Sequence, residues 1–159
     1  MEKRLNLELL KLKVPPLVQM LVVALVMWLA ARFLDTGETY STWQGLFLII
    51  ILAAGMTIVA VAVVTLHKMG TTIDPRDPSL ASKLVTVGIF NYSRNPIYLG
   101  LLVMLIAWNI HLYSLYASVG LPLFIWLVTK LQIIPEEQQM STKFGIDYFH
   151  YCERVRRWV

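Results

Sequence analysis

Three charged residues could act together chemically, although they are far apart in the chain. Arg94 lies between Gly88 and Pro96 and is flanked by long apolar blocks, while Glu136 and Glu137 follow about 40 residues later. A charge at membrane depth is expensive unless it has a partner or a ligand. The simpler interpretation is a structural salt bridge that links two helix ends. Two carboxylates served by one arginine favour instead a ligand with a cationic part.

The composition predicts an integral membrane protein. Hydrophobic residues make up 57% of the 159, mean hydropathy is +0.63, and charged residues are 15%, against about 25% in a soluble domain. By length the chain is one domain, 1–159. The net charge of +4 indicates contact with an anionic lipid surface rather than nucleic acid. His67, His111 and His150 are too dispersed to predict a metal site.

Four apolar segments predict an all-α membrane bundle with four transmembrane helices. The last two segments form a helical hairpin, and the fourth is expected to bend near Pro122. The second contains Gly55 and several alanines, and small residues allow helices to approach closely, so we expect this helix to be central. The segments span residues 16–34, 43–66, 98–112 and 115–134.

The distribution of basic residues predicts the topology. Lysine and arginine occur in the amphipathic segment 1–13, the 67–97 loop and the tail, but not in the turns 35–42 and 113–114. The positive-inside rule then places both termini in the cytoplasm. Segment 1–13 is expected to be a helix on the membrane surface, or alternatively a frayed basic tail. The hairpin would return Arg94 and the glutamates to one membrane surface.

The motifs resemble those of a known family. Gly88-Ile-Phe-Asn-Tyr-Ser-Arg94-Asn-Pro96-Ile-Tyr98-Leu-Gly100 resembles the Arg-His-Pro-x-Tyr-x-Gly motif of the isoprenylcysteine carboxyl methyltransferases and the related phospholipid N-methyltransferases. The Glu136-Glu137 pair is similar to that family's second motif. Phe144-Gly145-x-x-Tyr148-x-x-Tyr151-x-x-Arg154-Val155 is similar to its C-terminal block. The resemblance covers roughly residues 67–159, so that 1–66 would supply the first two spans and 67–159 the cofactor-binding loop, hairpin and cytoplasmic catalytic tail.

The resemblance implies a membrane methyltransferase that uses S-adenosylmethionine and a lipophilic or membrane-partitioned acceptor. It also implies that Arg94 and Glu137 either brace the site, which makes them the candidate catalytic residues, or bind the methionyl end of the donor. Asn95 replaces the family histidine and cannot titrate, so a general base is not expected there. The donor-contacting residues would be Leu84, Val85, Gly88, Phe90, Asn95, Pro96, Tyr98 and Glu136, with Arg94 and Glu137.

The resemblance gives less direct information about the residues that would contact the methyl acceptor. Some family members have an arginine four residues before the glutamate pair, where this chain has Gln132, with Lys130 nearby and Arg154 in the tail. These three are the candidate acceptor residues, and a carboxylate acceptor is not implied. Two alternatives remain open, namely an NADPH-dependent membrane reductase of the sterol reductase type and a non-catalytic membrane adaptor. The oligomeric state is also open.

Overall fold

The computed structural model describes residue 12 and residues 14–34, 42–70 and 83–159, and in these ranges all regular structure is helical. The surface helix predicted over 1–13 lies outside the described residues, apart from Leu12, as do positions 35–41 and 71–82. Within these ranges, five α-helices follow one another, with short 3-10 turns at Gly88–Asn91 and Ala117–Val119 and a π turn at Thr129–Ile133. They are α1 (Pro16–Leu34), α2 (Thr42–Lys68), α3 (Pro96–Leu112), α4 (Gly120–Val128) and α5 (Ile134–Arg154).

The helix lengths confirm the multi-pass membrane prediction. In the part of the chain that the structure describes, three helical stretches are long and apolar enough to cross a bilayer: Pro16–Leu34, Gly45–Lys68 and the continuous run Ala117–Arg154. Helix α3 is apolar but has 17 residues, which is the lower end of the roughly 17–25 that a crossing needs. The first predicted span agrees with α1 at both ends, and the second and third differ by at most two residues at either end.

Helix α3, rather than α2, is the centre of the bundle. It packs against α1, α2 and α4, whereas α2 packs against α3 and the 3-10 turn at Gly88–Asn91. The prediction that the second span is central is therefore wrong. The small residues of α2 allow a close crossing with α3. A Cβ added to Gly55 would lie 2.8 Å from the carbonyl oxygen of Gly100. Large side chains elsewhere on α2, such as Phe47 and Ile50, are exposed to the surroundings of the bundle.

The core lies where α1, α3 and α4 meet. Val23 and Met27 of α1 are buried against Leu105 of α3 and Phe124 of α4. Helix α4 begins at Gly120, where an added Cβ would overlap the side chain of Met27. Close packing of apolar side chains thus holds the three helices together.

The fourth span leaves α-helical geometry at Thr129–Ile133, seven residues after Pro122. Pro122 lies in the first turn of α4, where its missing N–H weakens the helix least. The π turn is instead bound by the segment that precedes α1. The Leu12 amide donates to the Leu131 carbonyl at 2.9 Å, and Gln132 Nε2 donates to the Val14 carbonyl at 2.6 Å.

The polar segment after the hairpin is helical as far as Arg154. Helix α5 contains one break at Gly145, which has φ 53° and ψ −121°, a conformation that L-residues other than glycine rarely adopt. After α5 the chain becomes extended at Val155 and turns back toward the start of α3. This return brings the last residues to the ends of the hairpin.

Candidate functional site

Arg94 and Glu137 meet at one end of the bundle. Arg94 lies two residues before α3 and Glu137 lies in the first turn of α5, and Arg94 Nη2 is 3.2 Å from Glu137 Oε1. Their side chains are only 14% and 18% exposed. The hairpin therefore brings the two helix ends together, as the spacing of the motifs predicted.

A second arginine binds the same carboxylate. Arg157 donates from Nε to Glu137 Oε1 at 3.0 Å and from Nη2 to Oε2 at 2.6 Å, a bidentate arrangement. Hydrogen bonding to Glu137 raises the pKa of the Arg157 guanidinium. Glu137 therefore has two cationic partners of its own. The premise that one arginine serves both carboxylates does not hold.

Glu136 has a different partner. The hydroxyl of Tyr98, in the first turn of α3, donates to Glu136 Oε1, and the Tyr98 side chain is buried. Adjacent carboxylates on α5 thus have unlike environments. Glu137 is neutralised by guanidinium groups, whereas the contact of Glu136 is a neutral phenol.

The residues after α5 lie across the loop that leads into α3. The amide of Arg94 donates to the Arg156 carbonyl at 3.1 Å, and Asn95 Nδ2 donates to the Arg157 carbonyl at 2.9 Å. Ser93 Oγ also donates to that carbonyl at 3.5 Å. We call Val155–Val159 the C-terminal clasp. Its Trp158 packs against the central core.

Arg94 has two further features. Its Nη1 contacts the Sγ of Cys152, which lies in the second half of α5. Its Nε is buried and, among the described residues, has no hydrogen-bond partner. Buried donors are rarely left without a partner, so this nitrogen marks a hydrogen bond that the described residues leave unmade.

The other residues predicted to contact the methyl donor lie in the segment that leads into α3. Val85 and Phe90 are buried against Ala62 of α2, and Tyr151 donates to the Phe90 carbonyl at 2.7 Å. Leu84 packs beside the buried Tyr148, Tyr151 and Val155. Gly88 has φ 62°, which explains the glycine in the motif, and Pro96 begins α3.

The candidate acceptor residues are separated. Gln132 is fully buried and its amide nitrogen is engaged with Val14. Lys130, on the π turn, and Arg154, at the end of α5, are exposed. The residues that the structure brings into one cluster are Arg94, Asn95, Tyr98, Glu136 and Glu137.

Sequence reasoning missed Arg157 and Cys152 as members of this cluster. Arg154, Arg156 and Arg157 all lie in the same polar tail, and nothing in their types distinguishes the one that turns inward. Cys152 offered only its position one residue after Tyr151, within the C-terminal block.

The fold and this polar cluster define a multi-pass helical membrane protein with a charged site at the ends of its hairpin. Residues 40–147 match the family model for phospholipid methyltransferases. The match covers more than half of the chain, and the chain belongs to this family.

Individual relatives agree with the family assignment. The chain is 24% identical over 139 residues to protein-S-isoprenylcysteine O-methyltransferase A of Arabidopsis thaliana, covering 87% of this chain and 71% of that protein. It is 28% identical over 116 residues to a probable protein-S-isoprenylcysteine O-methyltransferase of Oryza sativa subsp. indica, covering 73% and 59%. An uncharacterized protein of Haemophilus influenzae is 40% identical over 62 residues, 39% of this chain and 98% of that protein.

No solved structure matches the chain. The named relatives are O-methyltransferases, which supports methyltransferase activity at the level of the family.

Proposed function

We propose that this protein transfers a methyl group from S-adenosylmethionine to a lipophilic acceptor in the membrane. The observation that carries the proposal is the cluster of Arg94, Tyr98, Glu136 and Glu137 at the ends of the hairpin, in a chain of the phospholipid methyltransferase family. We propose further that the cluster faces the cytoplasm of an inner membrane, because the basic residues are concentrated at this end.

The cluster fits the amino-acid end of S-adenosylmethionine, which carries a carboxylate and an ammonium. Arg94 Nε is a buried donor without a partner among the described residues, and it would hold the carboxylate. Glu136, whose contact is the Tyr98 hydroxyl, would hold the ammonium. Glu137 would keep Arg94 in place, because it is already bound by Arg94 and Arg157.

When bound, S-adenosylmethionine supplies a methyl group activated by its sulfonium. The task of the protein is then to align the acceptor with this group and to exclude water. Tyr98 in the cluster and Phe90 in the segment before α3 are buried aromatic side chains and would exclude water on the side of α3. Asn95 donates to the clasp and has no titratable group, so proton removal from the acceptor is not assigned to it.

The acceptor would enter from the bilayer, where a lipophilic molecule is already concentrated. The relatives from Arabidopsis and Oryza act on isoprenylcysteine according to their names. In this chain Gln132 is fully buried, and its amide nitrogen is bound to Val14. The names of the relatives support an acceptor of the same lipophilic class, whereas the engaged Gln132 gives no support for a carboxylate contact at this position.

Binding of S-adenosylhomocysteine to the purified protein tests the proposal. A ligand that binds only the native state raises apparent stability, so we expect the thermal midpoint to rise with S-adenosylhomocysteine and not with NADPH. Glu136→Gln should weaken the rise. Gln138→Ala changes an exposed residue on the same turn and should leave it intact.

A stabilising effect of NADPH alone would favour the reductase alternative, and no effect of either ligand would favour the adaptor. A positive shift would be followed by incubation with labelled S-adenosylmethionine and membrane lipid. Label in the lipid extract identifies the acceptor class.

A further inference from the structure

Arg157 is held at the site from three sides. Its guanidinium makes the bidentate contact with Glu137, and its carbonyl accepts hydrogen bonds from Ser93 and Asn95. The following residue, Trp158, packs against the central core. An arginine that merely contacted lipid headgroups would need none of these interactions.

The geometry differs from that of an ordinary surface ion pair. Exposed pairs contribute little because water screens them and two long side chains lose freedom. Here the Arg157 side chain is 39% exposed, but the carboxylate that it binds is only 18% exposed. A planar guanidinium bound bidentately also fixes the orientation of the carboxylate, which a point charge does not do.

The effect of Arg157 reaches Arg94 through Glu137. Glu137 Oε1 accepts from both Arg94 Nη2 and Arg157 Nε. Without Arg157, the carboxylate could rotate about its own bond and Arg94 would lose its fixed partner. The unpartnered Nε of Arg94 would then no longer be directed at one point.

We propose that Arg157 is a positioning residue for the donor site, which acts by orienting Glu137 and thereby Arg94. The C-terminal clasp is then a part of the site rather than a membrane anchor. The proposal rests on the proposed function, because the ligand whose binding it affects is the donor.

The experiment measures S-adenosylhomocysteine affinity by calorimetry in the full-length protein. Because a charge-assisted bidentate contact is lost, we expect Arg157→Ala to weaken binding about tenfold. Arg157→Lys keeps the charge but not the bidentate geometry of the guanidinium, so its affinity should lie between those of Arg157→Ala and the wild type. Arg156→Ala removes the neighbouring exposed side chain and should bind within about twofold of the wild type, as expected for a surface change.

A double-mutant comparison separates positioning from direct contact. If Arg157 acts through Glu137, then Glu137→Gln combined with Arg157→Ala should bind no more weakly than Glu137→Gln alone. Additive losses would mean that Arg157 contacts the ligand itself, and would overturn the proposal. In turnover assays Arg157→Ala should raise the KM for the donor while leaving kcat unchanged at saturation.

The outcomes distinguish the two proposals. A wild-type protein that does not bind S-adenosylhomocysteine overturns both. A wild type that binds, with unchanged affinity in Arg157→Ala and Arg157→Lys, overturns only the role of Arg157. Thermal midpoints of all variants are measured in parallel, and if Arg157→Ala fails to fold, Arg157→Lys decides the question by the same criteria.

Discussion

Helix α3 makes two contacts of opposite character. In its second turn, Gly100 meets Gly55 of α2 with the two backbones almost touching. At its start, Arg94 of the preceding loop and Tyr98 of the first turn meet the carboxylates of α5 through an ion pair and a hydrogen bond. Packing and the proposed donor binding thus involve adjacent but different turns of the chain around the start of α3, so substitutions should separate stability from donor affinity.

The largest expected effect comes from filling the glycine contact. In Gly100→Leu, the new Cβ would lie 2.6 Å from Val59 Cγ2 and 2.8 Å from the Gly55 carbonyl oxygen. Backbone cannot yield as a side chain can, so we expect a loss above about 3 kcal/mol, beyond ordinary overpacking. The measurement is the monodisperse fraction after detergent extraction, together with the thermal midpoint.

Gly45→Ala is the matched control for this contact. No atom lies within 4 Å of the Cβ that it would add, and alanine is the better helix former by roughly 1 kcal/mol. It should leave the thermal midpoint unchanged or slightly higher. Equal damage from both substitutions would show that the α2–α3 crossing is not the sensitive feature.

The second effect concerns the ionic contact. Glu137→Gln keeps the shape of the side chain but removes the charge that both Arg94 and Arg157 bind. Hydrogen bonds to charged groups are worth about 1.5–3 kcal/mol, so we expect S-adenosylhomocysteine affinity to fall by between ten- and a hundredfold, roughly. Folded protein should still be recovered, and Gln138→Ala should behave as the wild type in calorimetry.

A third change tests the break in α5. Gly145→Ala puts a side chain at φ 53°, and backbone strain of this kind costs on the order of 1–3 kcal/mol. Since no atom lies within 4 Å of the added Cβ, the effect would come from the backbone alone. The thermal midpoint should fall, in contrast to Gly45→Ala, and an unchanged midpoint would argue against the break at Gly145.

The smallest predicted effect is that of the phenol. Tyr98→Phe removes the hydrogen bond to Glu136 but keeps the buried ring. We expect a loss of about 0.5–1.5 kcal/mol, seen as a several-fold weaker affinity for S-adenosylhomocysteine. Tyr92→Phe, which alters a side chain that is 77% exposed, provides the control. Equal losses in both variants would show that the phenol of Tyr98 has no special role.

Much of the fold could be predicted because the bilayer sets helix lengths. The ends of α1 followed from apolar length alone, and the meeting of Arg94 with Glu137 followed from the hairpin. The position of α2 in the bundle could not be predicted in this way, since the exposed and packed faces of a helix in lipid are both apolar. Ala53 and Ala54 are exposed while Gly55 is buried, a distinction that composition does not make.

The site was predictable on one side only. The residues before α3 and in the first turn of α5 have recognisable spacing, but the return of the clasp depends on the positive φ of Gly145 and on the extended backbone at Val155. Each is one choice among several that the local sequence allows. The segment matched by the family model, 40–147, also ends before Arg157.

The π turn at Thr129–Ile133 sets the rotational phase of α5. Such a turn accommodates one extra residue, and each residue in an α-helix advances by about 100°. A helix that ran through without it would present a different side of α5 to the start of α3, and Glu137 would point away from Arg94. Deleting a single residue of this turn, such as the exposed Lys130, should therefore break the contacts between the carboxylates and the arginines. All charged residues of α5 would still be present.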